Sequence, residues 1–293
     1  MRRTILGMLA AGLAMALGVM PARAQPVLHA VGLERQYADV MRQIGGPYVR
    51  VIAIETNPDT DPHEFELSPA IAQAFSGADV IVANGLGYDA WADRFLAGSH
   101  ATVISAQAVL KLPDSTKNPH LWYDPATMPA VARAVAAAFA ARDPAHAAVY
   151  HANERAFEAS LVPWAQALAA VKTRYAGTKV AVTEPVANGL LRAAGLSIVT
   201  PFSLQAAIMN GTDPAPQDVT AQQALLAPGG ARILVYNEQV TDALTQSFLA
   251  LARTDGVPVL GVYELMPATA TSYQGWMQSE TAALARALAA GGH

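Results

Sequence analysis

The sequence predicts an α/β protein made of two parallel-sheet α/β domains joined by one long helix. Three observations lead there. Short apolar, β-branched segments alternate with helical patterns in two similar halves. Between the halves, from about Met128 to Tyr175, there is almost no strand signal. The chain has no cysteine, and its 53% apolar against 14% charged residues describes a fold that relies on a well-filled core.

Residues 1–24 stand apart from the rest. Arg2 and Arg3 precede the apolar stretch "ILGMLAAGLAMALGVM", and "PARA" ends in a small-x-small pattern, so the segment reads as a secretory signal peptide cleaved after Ala24. Its apolar run of about 16 residues is short of the ~20 that span a bilayer, and no second such run follows. The mature chain is therefore expected in the periplasm, as a monomer without a membrane anchor. Cleavage removes Arg2, Arg3 and Arg23 and no acid, so the mature chain is more acidic than the net −4 of the whole sequence. With no run of Lys or Arg, nucleic-acid binding is excluded. The absence of cysteine also excludes thiolate chemistry, thiolate metal ligands and a lipid-bearing cysteine after the signal.

In the first domain, residues 25–143, "VLHAVG", "VRVIAIE", "DVIVAN" and "TVISA" read as buried strands. Helical patterns lie between them in "ERQYADVMRQIGG", "SPAIAQAFSGA" and "DAWADRFLAGS". Residues 144–176 read as the connecting helix, beginning near Pro144 and kinked at Pro163. In the second domain, residues 177–293, the strands are "KVAVTE", "LSIVTPF", "RILVYNE" and "VPVLGVYE", separated by helices that several times run into glycine.

Parallel sheets bind ligands beyond the carboxyl ends of their strands. His63 follows "VRVIAIE" in "DPHEFELSP", and His120 sits in "NPHLWYDP" beyond "TVISA". In the second half Glu184, Glu238 and Glu264 each end a strand. Two imidazoles and two or three carboxylates would thus face one interdomain cleft, a donor set suited to Zn, Mn or Fe. Singly, each has a plainer account. Pro-His after Asp61 or Asn118 is a good turn, Glu184 before Pro185 suits a helix N-terminus, and Glu238 or Glu264 could pair with a base. His29, in the first strand, reads as a packed residue or one behind the ligands, and His146 and His151, five apart on the connecting helix, as a solvated face. The four tryptophans read as core.

The two Pro-His motifs, the stretch "ADVIVANGLGYDAW", the long connector and the strand-end acids together resemble the periplasmic zinc- and manganese-binding proteins of metal ABC transporters, the cluster A-I solute-binding proteins. The resemblance runs from about residue 26 to 290. It implies that His63, His120, Glu184 and Glu264 hold a transported Mn2+ or Zn2+, with Glu238 behind them or as an alternative ligand, and that a membrane permease receives the ion. Zinc-type members usually have histidine at the third position and manganese-type members glutamate, as at Glu184. The fourth is commonly aspartate; Glu264 keeps the charge and adds a methylene. "KLPDSTKNPH" is short and lacks the His- and acid-rich loop of many zinc members. The ion is expected in the interdomain cleft, with small domain shifts on binding.

Two other readings stand beside it. One is an exported metal-dependent hydrolase using the same His and Glu ligands; the other is an adhesin-like surface protein. Against the enzyme, "HEFEL" has Leu67 where HExxH needs histidine, and no G-x-S-x-G elbow or phosphate loop is found.

Overall fold

The computed structural model describes residues 27–55, 69–240 and 242–291. The expected eight strands form two four-stranded parallel sheets. The N-terminal sheet has the order β2-β1-β3-β4, from β1 (Leu28–Glu34), β2 (Val49–Glu55), β3 (Val80–Ala83) and β4 (Thr102–Ser105). The C-terminal sheet repeats it as β6-β5-β7-β8, from β5 (Lys179–Val182), β6 (Ser197–Ile198), β7 (Leu234–Asn237) and β8 (Val259–Val262). In each sheet the chain leaves the first strand one way and returns on its other side, which opens a crevice at the carboxyl ends.

The helices that cover the first sheet are α1 (Arg35–Gly45), α2 (Pro69–Ser76), α3 (Asp93–Ala97), α4 (Ala106–Val109) and α5 (Thr127–Arg142). In α1, Tyr37, Val40, Met41 and Ile44 recur at helical spacing and are fully buried. The connector continues as α6 (Ala147–Ser160) and α7 (Val162–Tyr175). It is therefore two helices where the sequence suggests one. The break is at Leu161, which ends the first and caps the second, because Pro163 has no N–H to donate and its ring collides with the carbonyl four residues back. The second sheet carries α8 (Asn188–Ala193), α9 (Phe202–Met209), α10 (Pro216–Leu226), α11 (Ala243–Thr254) and α12 (Tyr273–Ala290). "LSIVTPF" yields a strand of two residues, since Pro201 starts α9.

One core cluster runs through both lobes, from Tyr37 and Trp122 to Trp164, Tyr273, Trp276 and Leu288. Hydrogen bonds stitch the same seam. Tyr273 Oη donates to the Trp122 carbonyl at 2.6 Å, and Tyr123 Oη to that of Tyr263 at 2.7 Å. From α1, Asp39 accepts from the Tyr273 backbone N–H at 2.8 Å, and Gln36 from that of Met266 at 3.3 Å. A shared core of this kind leaves room for small shifts of one lobe against the other and opposes a wide hinge. None of the described helices is long and apolar enough to cross a membrane.

Two histidines differ from expectation. His29 is exposed near the amino end of β1, remote from the carboxyl-end cleft. His146 is stacked on Tyr48 with ring centroids 3.7 Å apart and bonds Asp143 at 2.6 Å, so it anchors the start of α6. Trp122, Trp164 and Trp276 are buried, while Trp91 is half-buried.

Candidate metal centre

His120 is placed by the loop that leaves α4 and enters a 3-10 turn at Leu121–Tyr123. Asn118 fixes it. Its Oδ1 accepts from the His120 backbone N–H at 3.1 Å and lies 2.8 Å from the ring Nδ1. Its Nδ2 donates across the cleft to the Pro185 carbonyl at 2.9 Å, which settles the amide orientation. Nδ1 therefore carries a proton, and Nε2 is the nitrogen turned to the cleft. Trp122 and Tyr88 wall the imidazole edge to face, with centroids at 5.5 and 6.0 Å.

Nε2 meets Glu264 Oε1 at 3.0 Å, with both side chains buried. Because Nδ1 already donates to Asn118, this contact needs a second proton between nitrogen and carboxylate, and an arriving divalent cation would displace it. Glu264 is itself held from several sides. Asn237 Nδ2 donates to Oε2 at 2.9 Å, and Gln239 Oε1 accepts from the backbone N–H of Glu264 and Leu265 at 2.6 and 2.8 Å. The Tyr88 hydroxyl faces the same carboxylate as a hydrogen-bond partner. Burial, followed by the charges of Glu264, Glu55 and Glu34, pushes that hydroxyl well above its ordinary range, so it stays neutral and able to donate.

Glu184, nearly fully buried, lies just beyond β5. Its neighbours on either side are tied to the same network, as Thr183 Oγ1 accepts from Asn237 N–H at 3.3 Å and the Pro185 carbonyl from Asn118. The structure thus brings His120 and Glu264 into contact and sets Glu184 at the end of β5, with β7 between it and the strand that leads to Glu264. His63 falls in residues 56–68, outside the described residues. Among the described residues no three His, Asp or Glu side chains gather closely enough to hold an ion by themselves.

Glu238 takes another direction. It packs over Gly261 and bonds Tyr236 and Tyr263, on the face of the sheet opposite to Asn237. The strand-end residue that reaches Glu264 is the amide one position earlier. Asn118, Asn237, Gln239 and Tyr88 were all missed in the sequence, although Asn118 two residues before His120 carries a readable Asx-turn signal.

Comparison with known proteins gives three results. Residues 34–287 match the profile of the family described as "ZnuA: Zinc-uptake complex component A periplasmic". The manganese-binding lipoprotein MntA of Halalkalibacterium halodurans is 32% identical over 124 residues, 41% of either chain. Among solved structures, FpvC of Pseudomonas aeruginosa in complex with Mn2+ superposes with a TM-score of 0.73 at 20% identity, covering 91% of this chain and 100% of that one. The periplasmic zinc-binding protein TroA of Treponema pallidum gives 0.74 at 14%, covering 90% and 99%. These two likenesses establish the fold. Against the curated relatives the match is local, spanning from 24% to 41% of their length. Neither a hydrolase nor an adhesin reading finds support among them.

Proposed function

We take as premise that the chain belongs to the family of periplasmic zinc-uptake component A proteins, and propose that it captures Mn2+ or Zn2+ in its interlobe cleft and delivers the ion to an ABC-type permease. The family is one of solute-binding proteins, not of enzymes. The observation that carries the reading is the buried 3.0 Å contact of His120 Nε2 with Glu264, built by an Asn118 that selects the tautomer. We assign His63, His120, Glu184 and Glu264 as the ligands. Two imidazoles from one lobe and two carboxylates from the other make a mixed N/O set that both ions accept. The carboxylate at Glu184 favours manganese as cargo, while Zn2+ should bind more tightly in the test tube.

In this reading residues 1–24 direct export and are removed. The processed chain comprises lobes 25–143 and 177–293 with the 144–176 connector, and it works as a periplasmic monomer. A filled site replaces the His120–Glu264 proton with an ion bonded from both lobes, and the permease reads the resulting small change at the cleft.

The experiment is metal analysis of chelator-stripped protein dialysed against Mn2+, Zn2+ and both together. One equivalent bound, and lost in His120→Ala and Glu184→Ala, is the expected result. No retained metal would refute the reading.

A further inference from the structure

The turn that follows β3 is held in an unfavourable conformation. Gly85, Leu86 and Gly87 succeed one another with φ of 86°, 57° and 79°. A left-handed leucine between left-handed glycines persists only where its surroundings over-determine it. Here Gly85 N–H donates to Asp89 Oδ2 at 2.7 Å, Leu86 N–H to Gln107 Oε1 at 2.8 Å, and Tyr88 N–H back to the Gly85 carbonyl at 3.2 Å.

Both ends of this turn touch the metal centre. At its entry Asn84 donates to the Pro119 carbonyl at 2.8 Å, one residue ahead of His120, and accepts from Tyr37 Oη at 2.7 Å. At its exit Tyr88 faces Glu264 and walls the His120 ring.

Asp89 in turn faces Glu34, the last residue of β1, and neither oxygen of the buried Glu34 carboxyl meets an N–H or hydroxyl donor among the described residues. The two are 3% and 0% exposed, and two carboxyl groups can bond each other only if one carries a proton. Asp89 accepts from backbone N–H groups, which favours its ionised form, so the proton belongs to Glu34. Burial first, then Asp89 and Glu55, raise the Glu34 carboxyl well above the ordinary glutamate range. Among the described residues, the ionisable groups around the pair are Glu55 on β2, in register with Glu34 and bonded to Trp91 Nε1 at 2.8 Å, Tyr37 on α1, Tyr88, and Asp93, which acts on Asp89. None of these is a cation that could replace the proton.

We infer that Glu34 is a positioning residue of the metal centre: by donating to Asp89 it pins the 84–89 turn, which through Asn84 and Tyr88 sets His120 and Glu264 for the ion. The inference rests on His120 and Glu264 being ligands. Its logic separates charge from shape, since glutamine at position 34 can still donate to Asp89 and can never lose the proton.

The test is the Mn2+ and Zn2+ affinity of purified wild type, Glu34→Gln and Glu34→Ala by chelator competition from pH 6 to 9, with thermal melts alongside. The glutamine variant is expected within about threefold of wild type at neutral pH and the alanine variant at least tenfold weaker, in the range seen when groups behind metal ligands are lost. The glutamine variant should never lose affinity against wild type as pH rises, because only the wild type can give up its donor. An alanine variant as tight as wild type, or a glutamine variant as weak as alanine, overturns the inference. A wild type that binds neither ion would instead sink the metal-centre reading and this inference with it.

Discussion

Asn118 and His120 are joined twice, through the backbone N–H and the ring Nδ1 of the histidine, and both bonds end on one amide oxygen. Because the other end of that amide is bonded to the Pro185 carbonyl in the opposite lobe, the orientation of a proposed ligand is tied to the position of the lobe that carries Glu184. Replacing Asn118 by alanine frees the imidazole to rotate or change tautomer. Its expected effect is a 10- to 100-fold loss of metal affinity. Asn118→Asp keeps an acceptor for Nδ1 and loses the interlobe donor, so its affinity should lie between the two. Isothermal titration of both variants measures this, and an alanine variant of unchanged affinity would show that the tether does not matter.

Adjacent residues at the end of β7 make a second comparison. Asn237 bonds Glu264, whereas Glu238 is turned to Tyr236, Tyr263 and Gly261. Asn237→Ala should weaken metal binding about tenfold. Glu238→Gln should leave it within twofold. The reverse order in a chelator competition assay would restore Glu238 as a ligand.

Much of this architecture is legible in the sequence because parallel strands covered on both faces leave near-continuous apolar runs, such as Val80–Ala83 and Leu234–Asn237, between amphipathic helices. The same rule of strand ends points to His120, Glu184 and Glu264. It cannot choose between Asn237 and Glu238, because the face on which a strand-end residue lands depends on register with β8. The carboxyl pair of Glu34 and Asp89 is equally hidden. Its partners are 55 positions apart and meet only because β1 and β3 are neighbours in the sheet. The broken connector fails for a local reason, as a proline two positions inside a helix can either kink a long helix or begin a new one.

Gly189 offers a test of the seam between the lobes. It lies on α8, and a Cβ there would come within 2.8 Å of the Asp124 backbone nitrogen and 2.9 Å of the Tyr123 carbonyl carbon. Neither atom is the end of a flexible side chain, so the lobes must separate slightly to admit a methyl group. Gly189→Ala should cost about 1–3 kcal/mol, seen as a melting temperature lowered by several degrees. An unchanged melt would mean that the seam yields freely, and would remove the basis for expecting small domain shifts.

Glu280, on α12 beneath the seam, gives stability a defined dependence on pH. Burial raises its carboxyl to about 7 despite the 2.9 Å bond from Trp276 Nε1, with the charge of Glu238 adding to the rise. A folded state that holds the proton more tightly than the unfolded chain is favoured when the group is protonated. That contribution is therefore complete below the ordinary glutamate range, near 4.5, and is lost as pH climbs through about 7. The loss is at most about 3 kcal/mol over this window. Glu34, Glu55 and Asp89 are shifted in the same direction, so the wild type sums several such losses, and the comparison must be made against a single substitution. Glu280→Gln keeps the size of the side chain and removes its charge. Melts of both proteins without metal, between pH 4.5 and 8, should show the variant gaining on the wild type as pH rises and the two converging at the acid end. A difference that does not change across the window would mean that Glu280 does not titrate there.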